Sequence, residues 1–496
     1  MQVPFPFPHP LARLSRRFSL TLAAAVLAGC ASTGGLQPQS TLGTANALES
    51  ATSLEGAQLT PAAWPTHAWW ESFGDAQLDQ LVQAALAGQP GLKAAAARVR
   101  QADALAGVAG APLYPQGVVS GRATRQRFSE NSTTPQPLAG SWDWTADVQA
   151  GVGYEIDFWG KNQAALDAAL GRAQAADVDR HAAELMLTTS LVRAYLKLDA
   201  AYLLRDLAEQ TLQQRENTLK LTGSRVQAQL DSRLDMKQAE AALPATRERI
   251  AALNEQIALT RNQVAALTGQ GPDAGIQIRR PAMQGDYVAA IPTAVPADLI
   301  GRRPDVVAQR WRVEAASQEI KVARAQFYPN VSLTAFAGVQ SLGLSDLLNA
   351  GSRVLGIGPA ISLPVFDGGR LRGNLGARQA EYDVAVEQYN GTLITALHDV
   401  VDQIVSLRWQ AERSAQQQQA LVLTQEGYDM ATARYRNGVG SYLQVLSAES
   451  QVLQQKQLLI ELQTRGRALH LELIRALGGG YAPQAAQPPQ SPQSLS

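Results

Sequence analysis

Cysteine is almost absent: Cys30 is the only one in 496 residues. The chain can therefore form no internal disulfide and no cysteine-based metal site. Net charge is lacking as well, with Lys plus Arg equal to Asp plus Glu at 43 each, so no field steers the chain toward nucleic acid. The histidines (His9, His67, His181, His398, His470) are scattered, and the sequence contains neither a phosphate-binding glycine loop nor a nucleophile elbow. These gaps argue against an enzyme. Beyond the N-terminus no run reaches the ~18 apolar residues of a membrane-spanning helix. If the mature chain crosses a bilayer, it does so with strands.

What is present begins with an address. Arg13, Arg16 and Arg17 form a basic region, Phe18 to Leu27 an apolar one, and Leu27-Ala28-Gly29-Cys30 a site of small residues ending in cysteine. The pattern resembles a bacterial lipobox, which makes residues 1–29 a lipoprotein signal peptide and Cys30 the lipid attachment point. Acyl chains on Cys30 anchor by burying methylenes. Ala31 and Ser32 follow where an aspartate would mark retention at the inner membrane, so the resemblance favours the outer one. Residues 30–65, rich in Gly, Ser, Thr, Gln and Ala, read as an extended leader.

The stretch Trp142 to Lys161 organises the rest. Trp142, Trp144, Ala146, Val148, Ala150, Val152, Tyr154, Ile156 and Phe158 alternate with Asp143, Thr145, Asp147, Gln149, Gly151, Gly153, Glu155 and Asp157, a two-faced strand. After Gly160 and Lys161 the chain turns Ala-rich and helical. Alone, this strand fits either a half-buried soluble sandwich or a lipid-crossing strand with aromatic girdles.

An internal repeat decides the architecture. Pro90, Arg98, Ala102, Val108 and Tyr114-Pro115 match Pro304, Arg312, Ala316, Val322 and Tyr328-Pro329 at an offset of 214. Gly160, Arg225, Ser232, Ala239-Glu240 and Gly269 match Gly369, Arg434, Ser441, Ala448-Glu449 and Gly478 at 209. The shift in offset falls inside the proposed hairpin, where a loop lengthens at small cost. The first repeat thus spans 66–269, with a β-hairpin at about 114–158 and helices at about 161–222 and 225–268. A linker covers 270–298, and the second repeat 299–480 has a hairpin at about 330–366 and helices at about 370–436 and 441–477. Pro244 is expected to bend or break one helix, and the tail 481–496 to stay unfolded for want of apolar residues.

Two hairpins give four strands, too few to close a pore, and an open edge in hydrocarbon costs several kcal/mol per unpaired group. The barrel must be shared between chains. Leu187, Leu191, Tyr195, Leu198 and Tyr202, and likewise Tyr389, Leu393, Leu397, Val400, Ile404 and Leu407, recur at near-heptad steps, so the long helices pack as a coiled coil. The fold class is a membrane β-barrel joined to a long α-helical coiled-coil barrel, closed by oligomerisation.

With the lipobox, the duplicated hairpins, GYEIDFWGK, SLPVFDGGRLRGNL, RRPDVVAQR and RYRNGVGSYLQVLSAES, the chain resembles the TolC-like outer membrane efflux proteins. Within them it is most similar to the NodT-type lipoproteins of resistance-nodulation-division efflux systems. The resemblance implies a homotrimer with one twelve-stranded barrel, a periplasmic helical tunnel, and no cofactor beyond the lipid on Cys30. It implies a passive exit duct for drugs or other toxic small molecules, served by a periplasmic adaptor protein and an inner membrane transporter. It also makes the helix-turn-helix tips the entrance, gate and adaptor-docking region. Here these are Arg434, Tyr435, Gly438, Gly440, Ser441, Tyr442 and Gln444, with Arg225, Asp231, Ser232 and Asp235 in the first repeat. Phe158, Trp159, Gly160 and Lys161, with Asp367, Gly368, Gly369 and Arg370, form the barrel-to-helix junctions. Family members commonly carry an acidic ring after the tip glycine, but Gly440, Gln444 and Ser447 stand here, which leaves Asp231 and Asp235 to supply it.

Two rival readings remain at this point. A type I secretion duct keeps the channel and changes the client. A non-conducting helical lipoprotein explains Cys30 and the coiled coil but has no need of two aromatic-flanked hairpins at matching repeat positions.

Overall fold

The computed structural model describes residues 35–44, 48, 52, 64–284 and 301–482. The signal peptide, Cys30, the second half of the inter-repeat linker from 285 and the tail from 483 lie outside the described residues. The alternating stretches form one antiparallel sheet in the order β1 (Gln116–Arg127), β2 (Trp142–Ile156), β3 (Asn330–Leu342) and β4 (Arg353–Ser362). Strands β2 and β3, one from each repeat, pair with Val148 opposite Val339 and Tyr154 opposite Leu333. Among the described residues β1 and β4 each have one neighbour, so both edges of the sheet are open.

Because side chains alternate along a strand, this register sorts them into two faces. One carries Val119, Ala123, Trp144, Val148, Val152, Tyr154, Leu333, Ala335, Leu355, Ile357 and Ile361. The other carries Ser120, Arg122, Thr124, Asp147, Gln149, Glu155, Ser332, Thr334 and Gln340. Large apolar side chains on the first face lie open, Leu355 at 78% and Ile357 at 77% exposure. Phe336 is the aromatic exception on the polar face; it sits over Gly356, where a Cβ would come within 2.4 Å of its ring. Among the described residues no helix is long and apolar enough to cross a membrane.

The helices run as α1 (Ala76–Gly88), α2 (Pro90–Gly110), α3 (Lys161–Gln227), α4 (Arg233–Leu267) and α5 (Pro272–Ile276). They continue as α6 (Pro304–Ala325), α7 (Arg370–Arg436) and α8 (Tyr442–Ala476). Helices α3 and α7 have 67 residues each and α4 and α8 have 35 each, so the duplication extends to element length. Two expectations need correction. Helix α3 continues past 222 to Gln227 and α4 starts at Arg233 rather than 225, because the chain stops at a built turn described below. Pro244 does not break α4. The proline withholds an N–H from the Glu240 carbonyl four residues back, one bond in a helix of 35 residues, and the helix continues past it.

The chain divides into two compact units. Of the described residues, one takes those within 1–42, 100–175 and 309–389, the other those within 43–99, 176–308 and 390–496. In the first, Ile320, Phe327, Leu371 and Leu375 form a small core beneath the sheet-bearing segments. The leader is clipped to α7 there: Gln39 and Ser40 donate their backbone N–H groups to Asp383 Oδ1 (2.9 Å each), and Gln379 donates to the Leu36 carbonyl (2.8 Å).

In the second unit Trp69, Trp70 and Phe73 pack on Leu191, Tyr195, Leu198 and Tyr202, the near-heptad residues of α3. The buried Tyr195 hydroxyl donates to Asp75 (2.7 Å), which also N-caps α1. Buried Arg303 reaches the Ala396 and Ala476 carbonyls (3.3 and 3.2 Å) and Asp399 (3.1 Å), tying α7 to the end of α8.

Candidate functional site

The two helix-to-helix turns are built alike. At the end of α3, Leu230 N–H donates to Arg225 O (2.9 Å) and Gln229 N–H to Val226 O (3.0 Å). At the end of α7, Val439 N–H donates to Arg434 O (3.0 Å) and Gly438 N–H to Tyr435 O (3.1 Å). Both are Schellman closures, which need a left-handed residue just past the helix. Gln229 (φ 57°) and Gly438 (φ 81°) fill that role, one turn by strain and the other by glycine.

The next helices start alike too. Ser232 accepts from Asp235 N–H while Asp235 accepts from Ser232 N–H (2.9 Å), and Ser441 and Gln444 repeat this box at 3.4 Å in both directions. This duplicated capping explains the sharp helix limits.

Charge separates the turns. Arg225 grips Asp231 with Nε (2.9 Å) and Nη2 (3.1 Å) and donates from Nη1 to Tyr435 O (2.9 Å). Its guanidinium lies 4.5 Å from the Tyr435 ring centroid. Tyr435 O–H donates to Asp231 Oδ2 (2.5 Å), and its oxygen also lies 2.9 Å from Thr222 Oγ1. One cluster therefore fastens the first repeat's turn to the second repeat's. Both side chains of the ion pair are more than nine-tenths buried. Burial works against the Asp231 charge, but the bonds from Arg225 and Tyr435 outweigh it and hold the carboxyl below its usual range. Burial and the adjacent Asp231 push the Tyr435 hydroxyl up to about 12.

In the second turn Gly440 stands where Asp231 stands in the first, so Arg434, the counterpart of Arg225, is exposed and makes no ion pair among the described residues. The expectation that Asp231 supplies a free acidic ring is corrected accordingly: its charge is spent on Arg225. Asp235 is half-buried and closes the capping box that starts α4. Tyr442 packs with Tyr435, Val445 and Ala239 in the small core beneath the turns.

Sequence reasoning missed Thr222 and a second buried pair further along. Glu449 accepts from Arg215 Nε (3.2 Å) and Gln214 Nε2 (3.3 Å). Burial raises its carboxyl above the usual range, and Arg215 offsets only part of that. A carboxylate on the inward stripe of α8, matched by Glu240 in the repeat, was the available signal.

At the strand-to-helix junctions, Trp159 stacks on Tyr328 (4.5 Å, 18° between planes) and donates from Nε1 to Pro329 O (2.9 Å). Phe158 is exposed, Gly160 turns with φ 67°, and Lys161 pairs with Glu155. Asp157 accepts from Gln163 N–H (2.8 Å) to start α3. Asp367 accepts from Leu371 N–H (2.8 Å) and Gly369 N–H (3.0 Å) to start α7, with Gly368 and Gly369 left-handed before Arg370.

The outer membrane efflux protein family model matches residues 81–270 and 295–479, one segment per repeat. The chain belongs to that family. It is 42% identical over 371 residues to the fusaric acid resistance protein FusA of Burkholderia cepacia, covering 73% of this chain and 69% of the relative. To the multidrug resistance outer membrane protein MdtP of Escherichia coli K12 it is 33% identical over 434 residues, 85% of this chain and 88% of that one. The crystal structure of VceC, an outer membrane protein of Vibrio cholerae, superposes with a TM-score of 0.80 at 38% identity, covering 84% of this chain and all of that one. The chain is thus an outer membrane channel component of an efflux system, with the TolC-like fold.

Proposed function

We propose that three copies of the chain close one twelve-stranded barrel, and that the assembly is a passive exit duct for small toxic molecules. The observation that carries this is the sheet: four strands, one apolar face, one polar face and two open edges. An edge facing hydrocarbon leaves unpaired backbone groups at several kcal/mol each, so β4 of one copy pairs with β1 of the next. The apolar face meets lipid and the polar face lines the pore. A non-conducting helical lipoprotein has no use for such a sheet.

The drive comes from an inner membrane resistance-nodulation-division transporter acting through a periplasmic adaptor protein, and the paired turns are the gate and the adaptor's docking end. Fusaric acid resistance and multidrug resistance in the relatives' names favour drug-like substrates over secreted proteins. The leader supports lipid attachment at Cys30. From Gly43, whose N–H donates to Asn390 (2.7 Å), it climbs α7 to Gln379. A leader held along α7 at Gln379 and Asp383 suits a lipid at its N-terminal end, where acyl chains find the membrane.

Single cysteines on β1 and β4, such as Ser120→Cys with Ala360→Cys, joined by a short bifunctional reagent in membranes, test the closure. A ladder ending at three chains is the expected result. A ladder ending at two, or cross-links confined to single chains, contradicts it.

A further inference from the structure

The apolar face of the sheet is not uniform along its length. At the loop end Arg127 lies opposite Trp142 and Arg125 opposite Trp144, and Arg353 opens β4 on the same face, across from Val339. At the helix end that face carries Gly117, Tyr154, Ile156, Val331, Leu333, Pro359 and Ile361, with no charge. The polar face treats its arginine differently: Arg122 lies directly opposite Asp147. On the apolar face no acid lies opposite any of the three. Arg127 shares its charge with Glu130 in the loop (2.8 Å), while Arg125 and Arg353 are exposed and make no ion pair among the described residues.

An unpaired guanidinium on a lipid-facing surface is costly within hydrocarbon and stable only where an anion or water meets it. Tryptophans beside it mark the headgroup level, since their rings hold the boundary between tail and head. The guanidinium fork fits phosphate oxygens in two-point fashion. All three arginines stand at one end of the face, so the anion they fit belongs to one leaflet. The loops lie away from the helices, which puts that leaflet outside.

We propose that Arg125 and Arg127 of one copy, with Trp142 and Trp144 as the aromatic shelf, and Arg353 of the copy whose β4 pairs with its β1 form a binding site for the phosphates of an outer-leaflet glycolipid. The proposal rests on the barrel reading above, because only that reading turns this face to lipid. Bound glycolipid would then brace the open-edge strands β1 and β4 where neighbouring chains meet.

The test uses the full-length protein purified as the detergent-stable oligomer, with heat-modifiable migration recorded first for every variant. A bisphosphorylated lipid A, its dephosphorylated form and inorganic phosphate are added separately, and binding is read by native mass spectrometry and by the shift in thermal midpoint. The phosphorylated lipid is expected to bind and raise the midpoint, and the other two to leave it unchanged. Arg125→Gln with Arg353→Gln is expected to weaken lipid binding roughly 30-fold, at about fivefold per lost cation. Arg125→Lys with Arg353→Lys should keep most of it, and Arg122→Gln all of it. Equal binding of the phosphorylated and dephosphorylated lipids, or an unchanged affinity in a heat-modifiable Gln variant, overturns the proposal. Loss of heat-modifiable migration in the wild type overturns the barrel reading instead, and the site with it. A Gln variant that fails to assemble leaves the Lys pair to decide: loss of binding there, in an assembled oligomer, also counts against the site.

Discussion

Arg225 and Tyr435 stand 210 residues apart in sequence, yet Arg225 donates to the Tyr435 carbonyl at 2.9 Å while its guanidinium covers the same residue's ring. Asp231 completes the set by accepting from both. The chain's two tips are therefore fastened to each other at this point, and any opening that separates them must break a buried ion pair.

Asp231→Ala removes one partner and leaves Arg225 charged and more than nine-tenths buried. Such a loss costs about 3–5 kcal/mol locally. Hydrogen exchange at residues 225–235 and 434–440 should accelerate by at least two orders of magnitude, with the sheet unaffected. Unchanged protection would show that the pair does not hold the turns.

The same cluster sets a pH dependence. The Asp231 carboxyl is held below its ordinary value, so the stability it supplies is full above that value and fades as pH falls through the lower, folded one. The turns should stay fastened at pH 5 and loosen only below about pH 4, read by hydrogen exchange or by channel conductance. Loosening between pH 5 and 7 would contradict the assignment.

Glu449 runs the other way. Its carboxyl is raised by burial, so it weighs against the fold increasingly as pH climbs through its folded value. Glu449→Gln keeps the shape and the Gln214 contact while removing the buried charge. Thermal unfolding at neutral pH should show it no less stable than wild type, whereas Arg215→Ala, which leaves the buried carboxylate without its cation, should destabilise.

The two left-handed turn residues make a matched pair. Gln229→Gly relieves a strained backbone and should stabilise by about 1 kcal/mol, while Gly438→Ala should cost about the same. Equal effects of both substitutions would mean the turns are not built as the hydrogen bonds indicate.

Much of this was legible in the residues. The alternation from Trp142 to Ile156 placed β2 because a two-faced strand leaves a period of two in the sequence, and the repeat offsets located its counterpart. The tip was placed by the resemblance that the stretch from Arg434 to Gln444 carries, while the left-handed Gly438 and the Ser441 box are the local features that the structure builds there. What escaped was chemistry that depends on distance: Asp231 looked like a free acid because nothing local announces that Arg225 and Tyr435 converge on it. Thr222 and Arg215 act through partners on other helices and carry no mark of their own. As a breaker Pro244 misled for the converse reason, since a local signal that removes one bond is outweighed by the rest of a 35-residue helix.

Single-channel conductance of the purified full-length oligomer in planar bilayers tests the central claim most directly, with Asp231→Ala and Gly440→Asp measured beside the wild type. The account predicts discrete small steps for wild type and larger ones for Asp231→Ala. Gly440→Asp, which gives Arg434 the acid that Arg225 already has, should not exceed wild type. A folded, membrane-bound oligomer that never conducts, even with Asp231 replaced, would contradict the duct and favour a purely structural lipoprotein.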